Sequence, residues 1–221
     1  IYEYGLLGAR GVITVTQPAP TRALFRRYSE TRDIDKEFPG ARGIGFIRRV
    51  PADRVDAFLE VARADGAPDF ASRQLAPSDA ERYVIQYIEP VERNRPAVGL
   101  DIGSEATRRQ AADTAMRTGL ATLTGPITLV QKLGEPQRSL LFLLPLYEPG
   151  KPTATEKERI AACIGWTYAP LSLREVLADF ALVNQGLELT LRDLTQTAEG
   201  EVFFDARDLK DTRTDFANSR Q

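Results

Sequence analysis

Histidine is absent from this 221-residue sequence, and cysteine occurs once, at Cys163. Without histidine no Ser-His-Asp or Cys-His nucleophile system can be assembled, although a Ser-Lys pair stays open. Zinc sites of the usual Cys/His type are excluded as well. A lone cysteine forms no internal disulfide, so cystines carry no message about redox compartment. Cys163 lies in an apolar stretch, which reads as a small buried core residue rather than a reactive thiol. Long apolar runs are also lacking. The longest, residues 140–146 with Pro145 inside it, suits a buried strand and is far too short to cross a bilayer. No charge of one sign dominates: 29 basic and 31 acidic residues leave a net charge of −2, with no basic stripe for nucleic acid. The sequence carries no signal peptide and begins at Ile1 without Met, so a segment of a longer protein is expected. No Walker loop occurs, and Gly43-Ile44-Gly45 lacks the third glycine and the helix of a dinucleotide fingerprint. No cofactor and no metal are expected.

What is present is an ordinary globular balance, 43% hydrophobic and 27% charged, on a chain long enough for one large domain or two small ones. Gly5, Gly8 and Gly11 recur every third residue. On a helix they form a smooth stripe for a partner helix, and a frayed terminus is the competing reading. Thr21 suits the cap of a helix that carries Leu24, Phe25 and Tyr28 on one face. A strand follows over 42–50, then a helix opened by Pro51 with Val55, Phe58, Leu59 and Ala62 on one side. Strands are predicted over 83–91 and 97–102, then a helix capped by Ser104 and stopped by Gly119. Two further strands, 120–131 and 139–147, flank a loop over 132–138. Consecutive strands without intervening helices point to α+β architecture with an antiparallel sheet. The Pro/Gly-rich stretch 148–155 is the expected boundary. Beyond it a strand over 160–169 is predicted. A capping box at Ser172 and Glu175 opens a helix with Leu173, Val176, Leu177 and Phe180 inward. Leu187, Leu189 and Leu191 then alternate as a half-buried strand, and Val202 to Phe204 begins another.

Few residues invite chemistry. Glu89, Glu92 and Asp101 are near one another along the chain, yet nothing in the sequence sets a partner or a separation for a catalytic carboxylate pair. Arg48-Arg49 ends a strand and can be an anion clamp or, the preferred reading, a surface ion pair. Thr124-Gly125-Pro126 interrupts a strand, because Pro126 has no N–H to donate; the site reads either as close approach of a ligand or as an edge bulge.

The order of motifs resembles the CHASE domain, the extracellular sensory domain of bacterial sensor histidine kinases, of nucleotide cyclases and of plant cytokinin receptors. The resemblance rests on Phe38-Pro39-Gly40-Ala41-Arg42-Gly43-Ile44-Gly45-Phe46, then Tyr87-Ile88-Glu89-Pro90, Gly99-Leu100-Asp101, Leu123-Thr124-Gly125-Pro126 and Leu143-Leu144-Pro145-Leu146-Tyr147, and covers roughly residues 21–183. It implies a long N-terminal helix (1–40) followed by two PAS-like antiparallel-sheet units, a membrane-distal ligand-binding one (41–150) and a membrane-proximal one (151–221). It implies a sensor rather than an enzyme: a homodimer, anchored through flanking membrane segments, that reads a small molecule, adenine-like in the plant members. By the same resemblance Thr124 lines the pocket and Glu92 stands near the acidic ligand acceptor, while Asp113 replaces a pocket leucine and departs from the plant pattern. Tyr87, Leu100, Phe142 and Gly125 are the further expected ligand contacts, and Thr124→Ile is expected to spare folding and abolish ligand response. The alternative is a soluble solute-binding protein or an enzyme that uses the same cleft.

Overall fold

The computed structural model describes residues 1–16, 20–129, 138–178, 189–194 and 199–205. Helix α1 (Tyr2–Val15) buries Gly5, Leu6, Ala9 and Ile13, one face at helical spacing. Helix α2 (Arg22–Glu30) opens where expected, with the Thr21 side chain accepting from Leu24 N, and buries Phe25. Asp33 caps a short α3 (Ile34–Glu37) in the same way. Then come β1 (Ile44–Val50), α4 (Val55–Ala64), β2 (Arg73–Gln74) and β3 (Arg82–Glu89), followed by α5 (Val91–Asn94), β4 (Leu100–Asp101) and α6 (Ala106–Thr118). The last segments are β5 (Thr122–Leu123), β6 (Ile127–Thr128), β7 (Arg138–Tyr147), α7 (Glu156–Ala162), β8 (Cys163–Ser172), α8 (Leu173–Ala178), β9 (Thr190–Asp193) and β10 (Glu201–Asp205).

Eight strands form one sheet in the order β2-β4-β3-β1-β8-β7-β5, with β6 also on β7; every pairing is antiparallel except β2 with β4. Helices cover both faces. Under α6 lie Trp166, Tyr83, Ile85, Leu141, Leu143 and Tyr168, packed on Ala112 and Ala115. The Trp166 indole also donates to Ala112 O at 3.0 Å. On the opposite face Phe46, Tyr87, Leu144 and Leu146 meet Leu6, Ile13, Phe25 and Phe38 from the N-terminal helices. Strand β7 alternates between the two cores, Leu141 and Leu143 on one side and Leu144 and Leu146 on the other, which is why its apolar run is unbroken. A third cluster, Val50, Ala62, Phe70 and Val84, seats α4.

The mixed α+β class and the N-terminal helix agree with the expectation. The layout beyond residue 147 does not. Residues 156–162 are helical, and β8 is no part of a second sheet: it pairs with β1 on one side and β7 on the other, so the 148–155 stretch divides no sheet. Only the ribbon β9–β10 stands apart among the described residues. The missed helix carries its own signal, because Thr155 and Glu158 form a complete capping box. The expected cap of α6 shifts by one residue. Glu105, not Ser104, caps α6 by accepting from the Thr107 and Arg108 amides, while the Ser104 hydroxyl donates to Asp101 O. Ser172 Oγ is buried and finds no partner among the described residues. The glycine stripe of α1 faces its own chain over part of its length. A Cβ at Gly5 would come within 2.6 Å of the Phe38 ring and one at Gly8 within 2.5 Å of the Tyr28 hydroxyl, while Gly11 has nothing within 4 Å. The expected loop over 132–138 lies largely outside the described residues, as do the expected positions of Phe180 and Leu187.

Candidate functional site

A groove runs along the N-terminal-helix side of the molecule, and its position follows from how α2 is held. The Arg22 amide donates to Asp65 Oδ2 at 2.9 Å, and Tyr87 Oη lies 2.8 Å from the same oxygen. Gln86 Nε2 donates to Tyr87 Oη at 3.0 Å, and the Tyr87 ring stacks on Phe25 with centroids 5.6 Å apart. Asp65 thus ties the start of α2 to β3 and to the end of α4. The Tyr87 hydroxyl, desolvated and beside the Asp65 carboxylate, titrates well above the ordinary tyrosine value. The Arg22 guanidinium lies over the Tyr87 ring at 5.3 Å and the Phe70 ring at 5.9 Å. Its Nη2 donates to Gln86 O at 3.3 Å, and its buried Nε meets no acceptor among the described residues.

Three neighbouring hollows make up the groove. The largest, ≈ 720 Å³, opens between α2–α3 and the β3–α5 corner. The second, ≈ 370 Å³, shares Arg26 and Glu89 with the first. The third, ≈ 450 Å³, shares Arg22, Gly66 and Val91 with the second. Glu89, 5% exposed, stands at the junction of the first two. One of its oxygens accepts from Val91 N at 2.9 Å, and burial raises its pKa above the ordinary carboxylate value. Arg26 pairs with Glu30 at 3.1 Å and approaches Glu92 at 3.8 Å, and Arg93 pairs with Asp35 at 2.8 Å.

The residues expected to line one pocket are distributed over the molecule. Thr124, 4% exposed, exchanges two bonds with Leu141: its amide donates to Leu141 O, and its hydroxyl accepts from Leu141 N, both at 2.9 Å. The hydroxyl therefore closes the strand interruption. Gly125 is 3.1 Å, measured from a Cβ built on it, from both Asp193 and Thr107. Leu100 belongs to the core under α6, whereas Tyr87 and Phe142 belong to the opposite one. Only Glu92 lines the groove. Tyr87, Leu100 and Phe142 sit on three different strands, and the register of each strand sets which face its side chain takes. Sequence reasoning did not single out Arg22, and it weighed Glu89 only as a catalytic carboxylate and not as a ligand contact. Glu89 had a signal: an acid closing a strand whose other residues are mostly apolar. Arg22 had none, because its setting depends on rings from two distant segments.

Elsewhere, Arg49 pairs with Glu81 at 2.7 Å and donates to Ile160 O. Arg48 is no surface ion pair: it is half-buried, pairs with no acid among the described residues, and burial lowers its pKa. The Tyr83 hydroxyl donates to Asp113 at 2.6 Å, so Asp113 takes part in a polar contact where a leucine would be apolar. Burial pushes the Cys163 thiol up to about 11, in keeping with an inert core residue. Among the described residues no helix is long and apolar enough to cross a membrane.

Comparison with known proteins completes this description. No curated protein matches the chain. The family model of the CHASE domain matches residues 18–204, which takes in the N-terminal helices from α2 onward, the whole eight-stranded sheet and all but the last residue of the ribbon. With the match extending over most of its length, the chain belongs to the CHASE-domain family, the extracellular sensory domains of signalling receptors.

Proposed function

We propose that this domain is the ligand-reading part of a membrane-anchored homodimeric receptor, a sensor histidine kinase or a diguanylate cyclase or phosphodiesterase, and that it passes occupancy to a cytoplasmic output domain. One observation carries the reading beyond family membership. Helix α2 forms a wall of the groove and also packs on α1: Phe25 shares a core with Leu6, and the Tyr28 hydroxyl reaches Gly5 O at 3.4 Å. A ligand that draws α2 toward the β3–α5 corner therefore acts on α1 through packed contacts. The ligand shifts the receptor only so far as it favours one of two arrangements. We place the ligand in this groove, with Glu92 retained from the expected set. We read residues 41–172 as one PAS-like unit and the β9–β10 ribbon as the start of a second, since β8 completes the first sheet.

Placement outside the cytoplasm is tested in intact cells that produce the full-length parent, freed of other exposed cysteines. Val61 is 65% exposed on α4, so Val61→Cys offers an accessible thiol. A membrane-impermeant maleimide added outside is expected to label it. Labelling that requires lysis of the inner membrane would overturn the placement.

A further inference from the structure

The two ends of the groove differ in charge: carboxylates outnumber arginines at one end, and arginines outnumber carboxylates at the other. Five carboxylates and three arginines line the largest hollow. All three of these arginines have acidic partners: Arg26 with Glu30, Arg32 with Glu37 and Arg93 with Asp35. Asp33 caps α3. Glu89 is left without a cation within 4 Å among the described residues, although it is 5% exposed. A buried carboxylate with one backbone bond has acceptor capacity to spare. At the other end the balance reverses. Arg22, Arg73 and Arg95 line the third hollow with a single carboxylate, Asp69, and none of the three arginines pairs with an acid among the described residues. Arg73 donates to the Pro96 and Val98 carbonyls, and Arg22 keeps a buried Nε with no acceptor. Between the ends, the second hollow has apolar walls at Ala23, Ala64 and Val91.

A buried charge without a partner in contact is costly; it is relieved by a shifted pKa or by a partner, and a ligand can be that partner. We propose that the groove takes a small zwitterion, an amino acid or a short free-ended peptide, with its ammonium at Glu89 and its carboxylate at Arg22 and Arg95. A neutral or purely anionic ligand leaves Glu89 without a cation in contact, and a purely cationic one leaves the buried Arg22 Nε without an acceptor. A bidentate guanidinium–carboxylate pair fits the planar carboxylate, and the ammonium supplies the three donors that a buried carboxylate can accept. This inference rests on the reading of the chain as a ligand-sensing domain and names the ligand class of its groove.

Thermal shift followed by calorimetry on the 221-residue chain tests it. The panel holds the proteinogenic amino acids, free-ended tri-alanine, N-acetyl-tri-alanine and tri-alanine amide, together with neutral sugars, adenine and succinate. The expected result is binding by an amino acid, by tri-alanine or by both, which separates the two sources. Blocking either end of the bound species, or introducing Glu89→Gln or Arg95→Gln, should weaken binding by about tenfold or more. Arg95 is exposed, so its substitution keeps the test clear of folding defects. Equal binding of the end-blocked forms, or unchanged affinity in both folded variants, would overturn the proposal. So would a panel in which no zwitterion binds. If adenine, succinate or a sugar binds instead, the sensory reading stands and the zwitterion is wrong.

Discussion

Glu89 sits where strand β3 ends, almost wholly shielded and with no cation within 4 Å among the described residues. Burial raises its folded-state pKa above the ordinary value of 4.5. The folded protein therefore holds this proton more tightly than the unfolded chain does. The stability that the protonated group contributes is full below the ordinary value and is lost as pH rises through the raised one. Glu89→Gln stays neutral throughout and keeps an oxygen for the Val91 amide. Urea titrations between about pH 4 and pH 8 should show the variant gaining on the wild type as pH rises. A constant difference across that range would mean that Glu89 ionises freely in the folded state. Thr124 teaches the converse lesson. Sequence marked its hydroxyl as a ligand contact, but the hydroxyl receives the Leu141 amide. Thr124→Ile would leave that buried amide unpaired at about 1–3 kcal/mol, so it no longer separates binding from folding.

At the scale of the element, α1 shows how one motif divides between two environments. The three glycines are equivalent in sequence, yet Gly5 accepts the Phe38 ring, Gly8 the Tyr28 hydroxyl, and Gly11 looks into open space. Phe38 is 3% exposed and has little room to retreat. Gly5→Ala should therefore lose about 1–3 kcal/mol through overpacking, more than the helix propensity it gains. Gly11→Ala meets no atom and should gain about 0.5–1 kcal/mol, because alanine loses less backbone entropy than glycine. Thermal unfolding followed by circular dichroism compares the two; equal shifts would show that Gly5 is not packed against Phe38. The outer face of α1, with Tyr4 at 78% and Val15 at 78% exposure, remains open to a partner, so the homodimer we propose uses Gly11 rather than the whole stripe. Helix α7 was legible in principle, since Thr155 and Glu158 have capping-box spacing. The apolar residues that follow, 160–169, have strand character and masked it.

For the whole molecule the decisive element is β8. It lies between β1 and β7, pairs with both, and delivers Trp166 and Tyr168 to the core under α6. A chain cut after residue 150 leaves those two strands without their shared neighbour and the core without its largest side chain. It is expected to show no cooperative unfolding. A chain cut after residue 178 keeps every strand of the large sheet and should still unfold cooperatively in urea. Cooperative unfolding of the shorter piece would restore the division at 148–155. The sequence by itself determined the α+β class, most strands and helix starts, and the family, because these depend on local periodicity, caps and motif order along the chain. Tertiary structure alone decided which strand completes the sheet and which residues share a wall. Antiparallel pairing joins segments more than a hundred residues apart, as Arg48 with Gly165, and no local pattern records the partner. The groove has the same origin: Arg22, Phe70, Tyr87 and Glu89 acquire their charge balance and burial only when α2, the end of α4 and β3 converge, so its chemistry is written in the fold and not in any contiguous stretch of the chain.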